Sequence, residues 1–191
     1  MKKITILLAC VICTFLASAQ QDFKLSTSKI QIAGTSTLHD WTADVTKYNG
    51  TAILNFTNKT LTGIKSMTLQ MDAKSIKCSK GGAMDKNLYK AINTEKYPSI
   101  SFILTKVTLV SGNKVNAEGK LTIAGTTQSV SIQATSNYAN GEWIFMGSKV
   151  LKMTDYNVEP PVVLLGTLKT GNEITISFET TFISAHGLTQ Q

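Results

Sequence analysis

"VNAEGKLTI", residues 115–123, alternates without a break. Val115, Ala117, Gly119, Leu121 and Ile123 take every second position, and Asn116, Glu118, Lys120 and Thr122 fill the gaps. Successive side chains of an extended chain point to opposite faces, so this period reads as a strand with one dry face and one wet face. The same rhythm sets Met67, Leu69, Met71 and Ala73 against Thr68, Gln70 and Asp72. It returns where Ile174, Ile176, Phe178 and Thr180 alternate with Thr175, Ser177 and Glu179. Turn dipeptides punctuate the chain at Asn49-Gly50, Gly112-Asn113, Asn140-Gly141 and Gly171-Asn172. About eight strands at hairpin spacing predict an all-β fold, an antiparallel barrel or sandwich. No internal repeat, low-complexity tract or linker divides it.

One segment breaks the rhythm. In "AMDKNLYKAINTEKYP", residues 83–98, Met84, Leu88, Ala91 and Ile92 fall at i, i+4, i+7 and i+8. That stripe predicts one short helix near residues 84–94, with Pro98 helping to end it before the next strand. A lone helix in an all-β meander suits the role of a cap on an open end of the sheet structure.

The N-terminus reads as a secretory signal. Lys2 and Lys3 precede an apolar run from Ile4 to Leu16, and Ala17-Ser18-Ala19 gives an A-x-A cleavage pattern. The run is shorter than the roughly 20 residues a membrane span needs. Leu7-Leu8-Ala9-Cys10 resembles a lipobox, but it leaves few apolar residues before Cys10. The preferred reading is a signal peptide over 1–19, one domain over 20–191, and a periplasmic or secreted protein starting at Gln20.

Export alters the composition. Losing Lys2 and Lys3 lowers the net charge from +7 to +5, and losing Cys10 and Cys13 leaves Cys78 alone. No internal disulfide is then available, so stability must come from a hydrophobic core. The basic residues are all lysines, spread along the chain, with no arginine. Arginine is the residue that reads guanine edges and clamps phosphates in bidentate fashion, so nucleic acid is not an expected partner. The charge suits a solvated surface and a weak attraction to anionic membrane headgroups.

"GTSTLHDW", residues 34–41, places Ser36, His39 and Asp40 close enough in sequence to suggest a hydrolase triad. If residues 30–46 are extended, however, His39 and Trp41 share one face, while Ser36, Leu38 and Asp40 share the other. Asp40 then cannot orient His39, and no catalytic residue is expected. Two histidines and one cysteine give no zinc spacing, and no glycine-rich loop joins a strand to a helix. Metals and cofactors are accordingly not expected. Cys78 lies between Lys77 and Ser79-Lys80, which could activate it, although a solitary loop thiol is the plainer reading. Asn55-Phe56-Thr57 and Asn58-Lys59-Thr60 match glycosylation acceptors, as triplets often do by chance in a chain rich in Asn and Thr.

Two linked motifs carry a family likeness. Tyr97, Pro98, Ile100 and Phe102 form a Tyr-Pro-x-Ile-x-Phe strand, followed by Gly119, Leu121, Thr122, Ile123, Gly125 and Thr127 in a G-x-L-T-I-x-G-x-T hairpin. With these motifs in this order, the chain resembles the YceI-like family of exported bacterial lipid- or polyisoprenoid-binding proteins. Two stretches depart from the family pattern. Asn87-Leu88 stands where the family often has His-Leu, and Met153 to Asn157 replaces an Arg-Ser-Asp-Phe-Gly-like stretch.

The resemblance implies a lipocalin-like, eight-stranded antiparallel barrel that binds an isoprenoid or other amphiphilic lipid without catalysis. His39, Trp41, Met67, Leu69, Met71, Phe102, Leu104, Leu121 and Ile123 are the expected lumen residues, with Leu88 and Tyr89 near the mouth. The methionines suit an adaptable apolar site. Two other readings stand beside it: a filled barrel acting as an envelope interaction or stress-related module, and a small hydrolase using His39. An eight-stranded barrel can be just filled or hold one small ligand, and pattern alone does not separate those cases.

Overall fold

The computed structural model describes residues 19–185. Residues 1–18 of the expected signal segment 1–19, with Cys10 and Cys13, and His186 at the other end lie outside the described residues. Eleven strand segments follow one another: β1 (Ala19–Ser36), β2 (Trp41–Val45), β3 (Tyr48–Thr57), β4 (Thr60–Asp72) and β5 (Ile76–Cys78), then the helix α1 (Gly82–Ala91). The chain continues with β6 (Ser99–Ser111), β7 (Lys114–Ile123), β8 (Thr126–Ala139), β9 (Glu142–Lys152), β10 (Val162–Val163) and β11 (Leu168–Ser184).

These segments form a closed barrel of eight staves. β1 is long enough to serve two neighbours: residues 19–24 pair with β3 and residues 30–34 with β2. β2 and β3 are therefore one stave interrupted at Thr46 and Lys47. β4 and β5 are likewise one stave, interrupted by a 3-10 turn at Ala73–Ser75. Ser75 holds the two breaks in step, its hydroxyl accepting the Lys47 N–H at 3.0 Å and its carbonyl accepting the Thr46 hydroxyl at 2.9 Å. Beyond them β4, β6, β7, β8, β9 and β11 pair antiparallel in turn. β11 then returns to β1, from Phe23 opposite Ser184 to Ser36 opposite Thr170, and closes the wall. β10 only borders β11 at Val162 and Val163.

Two of the expected turns are not turns. Asn49-Gly50 lies within β3 and Gly171-Asn172 within β11. These glycines serve close approach instead: a Cβ on Gly50 would meet the Thr68 carbonyl and the Leu69 side chain at 2.7 Å, and one on Gly171 would overlap the Thr35 hydroxyl. Two-residue loops occur at Asn58-Lys59 (φ 49° and 63°), Ala124-Gly125 (48° and 75°) and the expected Asn140-Gly141 (54° and 86°). Positive φ at both central residues gives the turn twist that matches the strands.

The helix starts two residues before the expected 84–94 span and ends three before its close. Pro98 is not what ends it. Asn93 enters the left-handed region at φ 49°, and the Ile92 N–H closes the last turn onto the Leu88 carbonyl at 3.0 Å.

The interior is packed unevenly. At the end carrying the 58–59, 112–113 and 140–141 turns, Phe23, Leu54, Trp143, Phe145 and Phe182 form a continuous core. Ring contacts run from Tyr138 to Trp143 (5.0 Å between centroids), Trp143 to Phe56 (5.8 Å) and Phe145 to Phe182 (5.9 Å). Toward the α1 end the inward residues are chiefly aliphatic and thioether, with Phe102, Tyr156 and Phe178 among them, and they line a cavity.

Candidate functional site

The unfilled half of the barrel is a cavity of about 330 Å³. Its wall is built by strand parity. Met67, Leu69 and Met71 project inward from β4, Phe102 and Leu104 from β6, Leu121 and Ile123 from β7, and Ile174, Ile176 and Phe178 from β11. Met84, Leu88 and Ala91 of α1, with Ile92 just past its end, close the top with the stripe visible in the sequence. His39 and Trp41 line the mouth beside Ser36, Leu38, Lys169 and Thr170.

Ten of the eleven residues expected at the lumen thus share one cavity wall, and Tyr89 does not. It follows Leu88 on a helix, where adjacent residues do not share a face. Its hydroxyl lies outside, donating toward the Lys74 and Ile76 carbonyls and accepting from Lys77 Nζ, each at 2.8 Å. Tyr89 fastens the lid rather than lining what lies beneath it.

Residues 30–46 are not one extended run. β1 ends at Ser36 and β2 begins at Trp41, so residues 37–40 form a loop. The Ser36 hydroxyl donates to the His39 carbonyl at 2.7 Å and accepts the His39 N–H at 3.2 Å, a serine turn of the chain on itself. The His39 Nδ1 lies 2.9 Å from the Asp40 backbone carbonyl. Ser36 and His39 do come together, but through the backbone of His39, and the Asp40 carboxylate does not orient the ring. Trp41 donates its Nε1–H to the Thr35 carbonyl at 3.2 Å and lays its ring over Gly34, where any Cβ would overlap it.

Cys78 is neither activated nor in a loop. It sits in β5 facing inward, 7% exposed, and burial pushes its thiol up to about 11, with the nearby Asp85 charge adding to the effect. The Cys78 N–H donates to the Asp85 carboxylate at 2.7 Å, and Lys77 Nζ lies 3.5 Å from the other carboxylate oxygen. The Cys78 N–H first, and the Lys77 charge after it, hold Asp85 below the ordinary carboxylate value against the opposing effect of burial.

Two polar members of the wall were not among the expected residues. Lys149 lines the cavity from β9, and Tyr156 lines it from a 3-10 turn after that strand. The Tyr156 hydroxyl is buried with no hydrogen-bond partner among the described residues, and burial pushes it up to about 12. Lys149 could have been found by extending the parity of Trp143 and Phe145 along β9 to Leu151.

The chain is similar in fold to Burkholderia cenocepacia BcnA (TM-score 0.66, 20% identity, covering 81% of this chain and 95% of that one). It is similar also to a polyisoprenoid-binding domain from Saccharophagus degradans (0.65, 12% identity, 85% and 98% covered). A third similar structure is the Campylobacter jejuni YceI protein (0.60, 17% identity, 95% and 97% covered). A search of curated proteins returns no match. The YceI-like domain matches residues 20–182, a span that takes in every stave of the barrel, the lid helix and the whole cavity wall, and the chain belongs to that family.

Proposed function

We propose that this barrel is an exported, non-catalytic binding protein that holds the tail of one amphiphilic lipid, a polyisoprenoid or a chain of similar girth, in its lumen. One observation carries the reading: a single apolar cavity of about 330 Å³ runs beneath a helical lid. Ligand pockets span about 300–1,000 Å³ and are mostly apolar with a few placed polar groups, and this one is of that kind. Each Å² of tail surface taken from water contributes roughly 25 cal/mol. The polyisoprenoid-binding Saccharophagus degradans domain supports the isoprenoid reading through its shared fold. A filled barrel serving as an interaction module is disfavoured by the same cavity. The hydrolase reading loses its support in the serine turn at Ser36, which engages backbone rather than the imidazole.

Lipid would enter at the mouth, where exposed Leu38 and the Lys169 ammonium suit weak contact with an anionic membrane surface. Native mass spectrometry of freshly purified protein should show a bound amphiphile. Ligand-free protein that also ignores added prenyl and acyl chains would overturn the reading. The same spectrum reports export, for which the expected mature chain begins at Gln20.

A further inference from the structure

We propose that the amphiphile is an acid whose carboxylate or phosphate ester is held inside the lumen by the Lys149 ammonium. The proposal rests on the lipid-binding reading above and narrows it. On β9 the odd-numbered residues face inward, since Trp143, Phe145 and Leu151 are all buried. That parity sends Val150 outward, 55% exposed, and turns half-buried Lys149 into the cavity. A slip of one residue would put the valine inside and the lysine in water, but it would also expose three buried side chains. The register therefore fixes a lysine where an apolar residue stands ready next to it.

The surroundings supply no counter-charge. Opposite Lys149 on β11 stands Ile176, and Ile132 of β8 lines the same wall. No Asp or Glu lines the cavity among the described residues, so its charged lining is of positive sign only. The Lys149 ammonium makes no ion pair or hydrogen bond among the described residues. Its stem leaves an apolar wall, and an ammonium held against such a wall is costly unless an anion meets it. The space beside it is cavity rather than core, so the anion can be the head of a ligand.

The alternative is a lysine whose long stem merely carries its charge back to water. Binding of palmitate, hexadecanol, farnesyl monophosphate and farnesol separates the two, measured by calorimetry on the wild type, Lys149→Met and Lys149→Arg. A charge-assisted hydrogen bond should make the matching acid about 10- to 100-fold tighter than its alcohol in the wild type. Lys149→Met should lose that preference while still binding the alcohols, and Lys149→Arg should keep it. Whether palmitate or farnesyl monophosphate shows the larger preference identifies the head as carboxylate or phosphate. Equal binding of acids and alcohols by the wild type, or a preference that survives in Lys149→Met, overturns the proposal while the lipid-binding reading stands. If none of the four probes binds, both fall. Should Lys149→Met fail to fold, the ratio in the wild type alone decides.

Discussion

Asp85 of α1 accepts the backbone N–H of Cys78 of β5 at 2.7 Å, fastening the lid helix to the barrel wall. Asp85→Ala leaves that buried N–H without its acceptor, which should cost about 1–3 kcal/mol. The loss should be local, appearing first as faster amide exchange over residues 82–91. The same bond predicts a dependence on pH. The folded state holds Asp85 below its ordinary value of 3.8, so its contribution is complete above that pH. It is lost as pH falls from 3.8 through the lower folded value. The melting gap between wild type and Asp85→Asn should be narrower at pH 3 than at pH 7. A gap that stays constant would contradict the assignment.

Cys78 should be inert in the native protein. Its thiol is 7% exposed and raised to about 11, so little thiolate forms at neutral pH and little reagent reaches it. Alkylation by iodoacetamide at pH 8 should be slow for the native protein and rapid in denaturant. Fast native alkylation would show that the β5 edge opens.

Gly119 is the point where the family hairpin meets the family strand. A Cβ there would overlap the Phe102 ring and come within 2.9 Å of the Ile103 carbonyl. Gly119→Ala should therefore cost about 1–3 kcal/mol by overpacking, read as a lower denaturation midpoint with an unchanged slope.

The period-two pattern made the inner wall legible where a strand runs without a bulge, whereas the register shifts after Leu104 and Val107 in β6 break it. Met67 to Ala73 and Ile174 to Thr180 face as their alternation implies. Loop geometry was less legible. The break at residues 37–40 depends on the Ser36 hydroxyl bonding the His39 backbone, an ordinary-looking serine in sequence. Gly50 and Gly171 look like turn residues but are demanded by neighbours distant in sequence, Leu69 and Thr35. Lys149 was hidden for the opposite reason. A lysine beside a valine reads as the wet partner of a dry one, and only the buried residues flanking the pair reverse the reading.

The two halves of the interior should answer truncation differently. Phe182 is 0% exposed within the packed end, in edge contact with Phe145 at 5.9 Å. Phe182→Ala opens a hole where neighbours are held on all sides, and should cost about 3–5 kcal/mol. Met71, 8% exposed, has the cavity on one side already. Met71→Ala loses contacts on the strand side only, so it should fall below the roughly 2–5 kcal/mol usual for a buried methionine while enlarging the lumen. Met71→Lys is harsher, since it places an ammonium where a tail should lie, and it should expel bound lipid or unfold the barrel. Thr68→Lys, three residues away on the outer face, should stay within about 0.5 kcal/mol, giving up only a surface hydroxyl contact with Thr51 at 3.0 Å. Chemical denaturation of all four variants, with lipid content followed by mass spectrometry, checks the set. If Met71→Ala costs as much as Phe182→Ala and no variant changes the lipid retained, the upper half of the barrel is core in solution and the carrier reading fails.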